Sequence, residues 1–153
     1  MIFSELTLPA NPPGAVPLTR SQIWQGLEQK AVNAVPYVEA ITSCREINRL
    51  SDTVFDREIS DGRARYVERV WLEPENRVVF TRIEGPVLGM ITNEITEENG
   101  ELGLRFQFAL VISPGADLPI TEDQLSAEVA TAYKAAVEST LAAVRERIAE
   151  PAR

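Results

Sequence analysis

Leu88 to Ile112, LGMITNEITEENGELGLRFQFALVI, is the stretch that decides the fold. Its second half alternates without a break. Leu102, Leu104, Phe106, Phe108, Leu110 and Ile112 fall on one side of an extended chain, and Gly103, Arg105, Gln107, Ala109 and Val111 on the other. A period of two marks a strand with one buried and one wet face. Between the halves stands Asn99-Gly100, a dipeptide that tolerates positive φ and closes a two-residue hairpin. That turn sets the register: Ile95 opposite Leu104, Asn93 opposite Phe106, Ile91 opposite Phe108. All six share the apolar face, so Asn93 is expected inside, among aromatic rings.

The same period runs back to Ile41, broken by turn signals at Asp61-Gly62, Pro74-Glu75-Asn76 and Gly85-Pro86. Strands are expected near 41–50, 54–60, 63–72, 77–84, 88–97 and 101–112. Short connections make them an antiparallel meander. Residues 2–8 read as a first strand, and Pro9 to Pro17 as a proline-rich loop. Thr19 then caps a helix carrying Ile23, Trp24, Leu27 and Ala31 on one face, and Pro36 is expected to open a second short helical turn through Tyr37 to Ala40. After Ser113-Pro114-Gly115, Thr121-Glu122-Asp123-Gln124 forms a capping box. The helix it opens runs to about Ala149, roughly 40 Å, before Pro151 stops it. Its apolar stripe is Leu125, Val129, Ala132, Tyr133, Ala136, Val137, Leu141, Val144 and Ile148. The fold class is α+β: a seven-stranded antiparallel curved sheet around a long C-terminal helix, with two short helices after strand 1, as a single domain over 1–153.

Composition removes several kinds of chemistry. There is no histidine, so Ser-His-Asp, Cys-His and HExxH sites are excluded, and no metal site or cofactor is indicated. Cys44 is alone, so no internal disulfide forms; it reads as a small buried hydrophobe. A net charge of -8 disfavours nucleic-acid partners and anionic lipid surfaces. The start lacks a signal-peptide pattern, and no apolar run reaches the roughly 18 residues of a membrane span. The default expectation is a cytoplasmic protein without membrane insertion; a homodimer is compatible with the sequence.

A seven-stranded sheet twists and curves, and one helix rich in alanine does not fill its concave side. The implied interior either holds a ligand or is packed solid by Phe55, Tyr66, Phe80, Phe106, Phe108 and Trp71. With Asp61-Gly62 as a two-residue loop, Arg57 pairs Tyr66 and Phe55 pairs Glu68. Phe55, Arg57, Ile59, Ala64, Tyr66, Glu68, Val70 and Leu72 then share the inward face. Arg57 and Glu68 become diagonal neighbours. Two readings stand: Arg57, Tyr66, Glu68 and Asn93 orient the polar end of a ligand, or the ion pair lies at an exposed rim and the asparagine is structural. Tyr133 could offer its hydroxyl to the same space or simply pack there. The candidate ligand-binding residues are Phe55, Arg57, Tyr66, Glu68, Phe80, Asn93, Phe106, Phe108 and Tyr133.

The element order resembles the helix-grip fold of the START and Bet v 1-like superfamily, often called SRPBCC. Local sequence resembles its AtaL-like branch, a group of unknown function: Leu18-Thr19-Arg20-Ser21-Gln22-Ile23-Trp24-Gln25-Gly26-Leu27, Glu68-Arg69-Val70, Gly89 to Ile95, and Gly103 to Phe108. The resemblance implies a cavity between sheet and long helix that takes lipophilic molecules. The wider superfamily includes lipid carriers, hormone receptors and polyketide cyclases or aromatases. The branch supplies no catalytic residues to carry over. Three functions follow as expectations: a binder of a lipophilic metabolite, a cyclase- or aromatase-like enzyme using Arg57, Tyr66 or Glu68 for proton transfer or oxyanion stabilisation, or a protein-interaction module.

Overall fold

In a computed structural model, which describes residues 1–149, the elements follow the order β1 (Ile2–Pro9), α1 (Arg20–Val32), β2 (Ser43–Arg49), β3 (Val54–Ser60), β4 (Arg65–Glu73), β5 (Arg77–Glu84), β6 (Val87–Glu98), β7 (Glu101–Ile112) and α2 (Glu122–Ala149). The strands form one antiparallel sheet in the order β1-β7-β6-β5-β4-β3-β2. The helix-stopping role expected of Pro151 lies outside the described residues.

The hairpin at Asn99-Gly100 forms as the dipeptide demands. Asn99 and Gly100 both adopt positive φ, 53° and 79°, and Glu98 pairs Glu101. Ile95↔Leu104, Asn93↔Phe106 and Ile91↔Phe108 all follow. The hairpin at Asp61-Gly62 differs. Ser60 pairs Arg65, so four residues connect the strands. Only Gly62 has positive φ, whereas a two-residue type I′ turn needs it at both central positions. Asp61 instead accepts hydrogen bonds from the amides of Arg63 and Ala64, both at 2.9 Å, which widens the turn. The slip is by two residues, so each side chain keeps its face. It also moves Glu68 from diagonal to directly opposite Arg57.

Only one short helix follows β1. Pro36 to Ala40 forms turns, closed by the amides of Tyr37 and Val38 on the carbonyl of Ala34; one such turn does not repay helix nucleation. Thr19 caps α1 through a capping box with Gln22, and Thr121 with Gln124 does the same for α2. Cys44 is half-buried rather than buried, since β2 is an edge strand with mostly exposed side chains.

The core lies between the concave face of the sheet and the two helices. Trp71 takes no part in it, being 45% exposed on the convex face. Val137, Leu141 and Val144 of α2 are fully buried, whereas Leu125, Val129 and Tyr133 nearer its start are only half covered. The two helices meet at Gly26, where an added Cβ would lie 2.2 Å from Cγ2 of Val144. Gly26→Val is therefore expected to push the helices apart and cost about 1–3 kcal/mol. Denaturant unfolding reads this directly; an unchanged midpoint would show that the helices part freely there.

Candidate functional site

The register of β3, β4 and β5 places one carboxylate between two guanidinium groups. Glu68 stands opposite Arg57 on one side and Arg82 on the other. Arg57 donates from Nε (3.0 Å) and Nη2 (2.9 Å) to Oε1, and Arg82 from Nε (3.1 Å) to Oε2. Glu68 is 1% exposed and Arg57 4%, so this pair is internal and does not lie at a rim. The Nη1 of Arg57 also donates to the carbonyls of Lys30 and Ala31, at 3.0 and 2.9 Å. These belong to the last turn of α1, whose carbonyls lack helical partners and carry the negative end of the helix dipole. Arg57 therefore fastens α1 to the sheet.

Lys30 completes the cluster. Its Nζ donates to Oδ1 of Asn93 at 2.5 Å and lies 4.4 Å from the ring centre of Phe106 and 5.6 Å from that of Phe80. Among the described residues it has no carboxylate partner. Asn93 is buried, and its Nδ2 has no hydrogen-bond partner among the described residues. Burial above all, and then the neighbouring Arg57 charge, lowers the Lys30 pKa to about 7, with Glu68 acting in the opposite sense. Glu68 shows the converse balance. Burial is the largest influence and pushes its pKa up, but Arg57 and Arg82, through charge and hydrogen bonds, hold it below the ordinary value. Burial raises the Tyr133 hydroxyl, so it stays protonated.

These groups line a cavity of about 90 Å³ with Phe80, Phe106, Ile41, Ile59, Ile91 and Tyr133. Of the nine residues marked in the sequence, Arg57, Glu68, Phe80, Asn93, Phe106 and Tyr133 face it. Phe55, Tyr66 and Phe108 do not. Phe55 packs in the core against the guanidinium of Arg49, Tyr66 lies under that of Arg82, and Phe108 stacks on Tyr133 with ring centres 4.3 Å apart. Aromatic packing and space thus coexist, and the space is small. Sequence reasoning missed Lys30 and Arg82. Both signals were available: Lys30 follows Ile23 and Leu27 at helical spacing, and Arg82 follows Phe80 by two on a strand. A larger cleft of about 470 Å³ lies outside, between α1 and α2, but Gln22, Gln25, Gln29 and Arg147 bring no comparable cluster to it.

A family described as Acetylaranotin biosynthesis cluster protein L (AtaL) matches residues 4–151. The chain belongs to this family. The START-like fold is shared with solved structures of low sequence identity. A START superfamily protein from Mycobacterium smegmatis superimposes with a TM-score of 0.70 at 12% identity, covering 94% of this chain and 97% of the other. The ZhuI aromatase/cyclase from a Streptomyces species gives 0.69 at 15% identity, covering 95% and 94%. Ara h 8.0201 gives 0.61 at 10%, covering 94% and 97%. No curated protein matches the chain by sequence. Among the described residues no helix is long and apolar enough to cross a membrane.

Proposed function

We propose that the protein binds a small lipophilic molecule between the concave face of the sheet and α2, with the polar end of the ligand at the Lys30–Asn93 end of the cavity. The observation that carries this reading is Asn93: a buried amide left half satisfied costs roughly 1–3 kcal/mol, and its free Nδ2 belongs to a residue lining the cavity. A cavity of about 90 Å³ is below the roughly 300 Å³ at which ligand pockets begin. Tyr133 and the first turns of α2 are the elements whose displacement would enlarge it, because their apolar side chains are only half covered.

A thermal-shift screen against fatty acids, sterols, flavonoids and aromatic polyketides tests the reading. A ligand present at a hundred times its dissociation constant is expected to stabilise by about 2.7 kcal/mol. A consistent shift within one chemical class supports binding; no shift with any class removes it and moves the weight to a protein-interaction role. A cyclase-like activity is the second reading, favoured by Lys30. A buried amine that titrates near 7 beside the cavity suits general acid–base work. Consumption of a ligand found in the screen, lost in Lys30→Met, would support turnover over simple binding.

A further inference from the structure

The charge in the cavity is unbalanced. Among the described residues two guanidinium groups, Arg57 and Arg82, and the amine of Lys30 face it, against one carboxylate, Glu68. Both oxygens of that carboxylate are already taken by the guanidinium groups. Arg57 has its remaining nitrogen on the carbonyls of α1, but Arg82, whose side chain is 17% exposed, uses only Nε on Glu68; its two terminal nitrogens, still open to solvent, have no protein acceptor among the described residues. Asn93 Nδ2 is the buried donor of this site without an acceptor among the described residues. Buried cations and buried donors are stable in a protein interior when an anion with accepting oxygens meets them. From this we infer that the cavity is a carboxylate-recognition site, in which Arg82, Asn93 and Lys30 hold the anionic head of a ligand whose apolar body lies against Ile91, Phe106 and Tyr133.

This inference rests on the binding function proposed above and names its ligand class. It also couples binding to protonation. The charged or titratable groups facing Lys30 are Arg57 on β3, Glu68 on β4, Arg82 on β5 and Tyr133 on α2; β6 and β7 present the neutral Asn93 and Phe106. In the free protein Lys30 is mostly neutral above about pH 7. A bound carboxylate adds a negative charge beside it and favours the ammonium form, so binding takes up a proton.

Calorimetric titration of the full chain with octanoate and with methyl octanoate, at about pH 8 in two buffers of different ionisation enthalpy, tests this. Octanoate is expected to bind at least about tenfold more tightly than the ester. It should take up protons, and Lys30→Met should abolish that uptake. Equal affinities for acid and ester would overturn carboxylate recognition while leaving lipophilic binding in place. Binding of neither would overturn both. Tighter octanoate binding without proton uptake would overturn the part assigned to Lys30. The comparison of acid with ester in the unaltered protein does not depend on any variant folding.

Discussion

Glu68→Leu is expected to destabilise the protein by about 3–5 kcal/mol, a large share of the roughly 5–15 kcal/mol available to a chain of this size. Among the described residues Glu68 is the single carboxylate in the cavity. Its removal strands Arg57 and Arg82 without a counter-charge, and Arg57 is nearly as buried as Glu68 itself. The loss reaches beyond the pair, because Arg57 also holds the last turn of α1. Urea unfolding of the two proteins measures it. A change of less than about 1 kcal/mol would mean that the groups behave as an exposed pair. Acid provides a second view. The folded-state pKa of Glu68 lies below its ordinary 4.5. Its contribution is therefore fully present above that value and is lost as pH falls through the lower folded one. The variant lacks this component of acid sensitivity.

Lys30→Met is expected to do the opposite near neutrality and raise stability. The unfolded chain binds a proton on this amine up to its ordinary 10.5, whereas the folded protein releases it at about 7. Between these values the unfolded state carries more protons, so wild-type stability rises with pH, by on the order of 4–5 kcal/mol over the whole interval. Methionine has no such penalty, although it leaves Oδ1 of Asn93 unpaired at a cost of roughly 1–3 kcal/mol. The variant should therefore lead by about 1–4 kcal/mol at pH 7, and the lead should shrink steadily toward pH 9. Tyr37, Tyr66 and Tyr133, all raised above the ordinary tyrosine value by burial, stay silent over that range. A difference between the two proteins that does not vary with pH would show that Lys30 is charged in the fold at neutral pH.

How much of this was legible beforehand depended on how local the signal was. The β6–β7 register could be read to the residue because Asn99 and Gly100 alone determine their turn. The β3–β4 register could not, since an aspartate supports several turn geometries and the hydrogen bonds of Asp61 to Arg63 and Ala64 select the wider one. The inward faces survived that error because parity is preserved by a two-residue slip. The site was harder to read than the fold. Period and spacing put Lys30 on an apolar helix face and Arg82 on an inward strand face, but a bare charge there reads as a solvated chain end until its partners come into view. Those partners sit far away in sequence: Asn93 is 63 residues from Lys30. The size of the interior was not legible either, because it depends on how the helices seat on the sheet, and a close approach such as that of Gly26 to Val144 between α1 and α2 comes into view only in the fold.

The pairing of β1 with β7 carries a consequence for the order of assembly. Every other strand joins a neighbour in the chain, but Ile2 must find Leu110. Hairpins close in microseconds, whereas contacts across a hundred residues wait on the slow search that gives β-rich proteins their low folding rates. β1 is thus expected to dock after the meander has formed. Until it does, β7 stands as an open edge with Leu104, Phe106, Phe108 and Leu110 behind it. The opposite edge needs no such cover: β2 bears Arg45, Glu46 and Arg49 and a register irregularity between Glu46 and Asn48, features that discourage strand addition from another molecule. The aggregation hazard expected of this fold is therefore one-sided, and the eight residues of β1 close it.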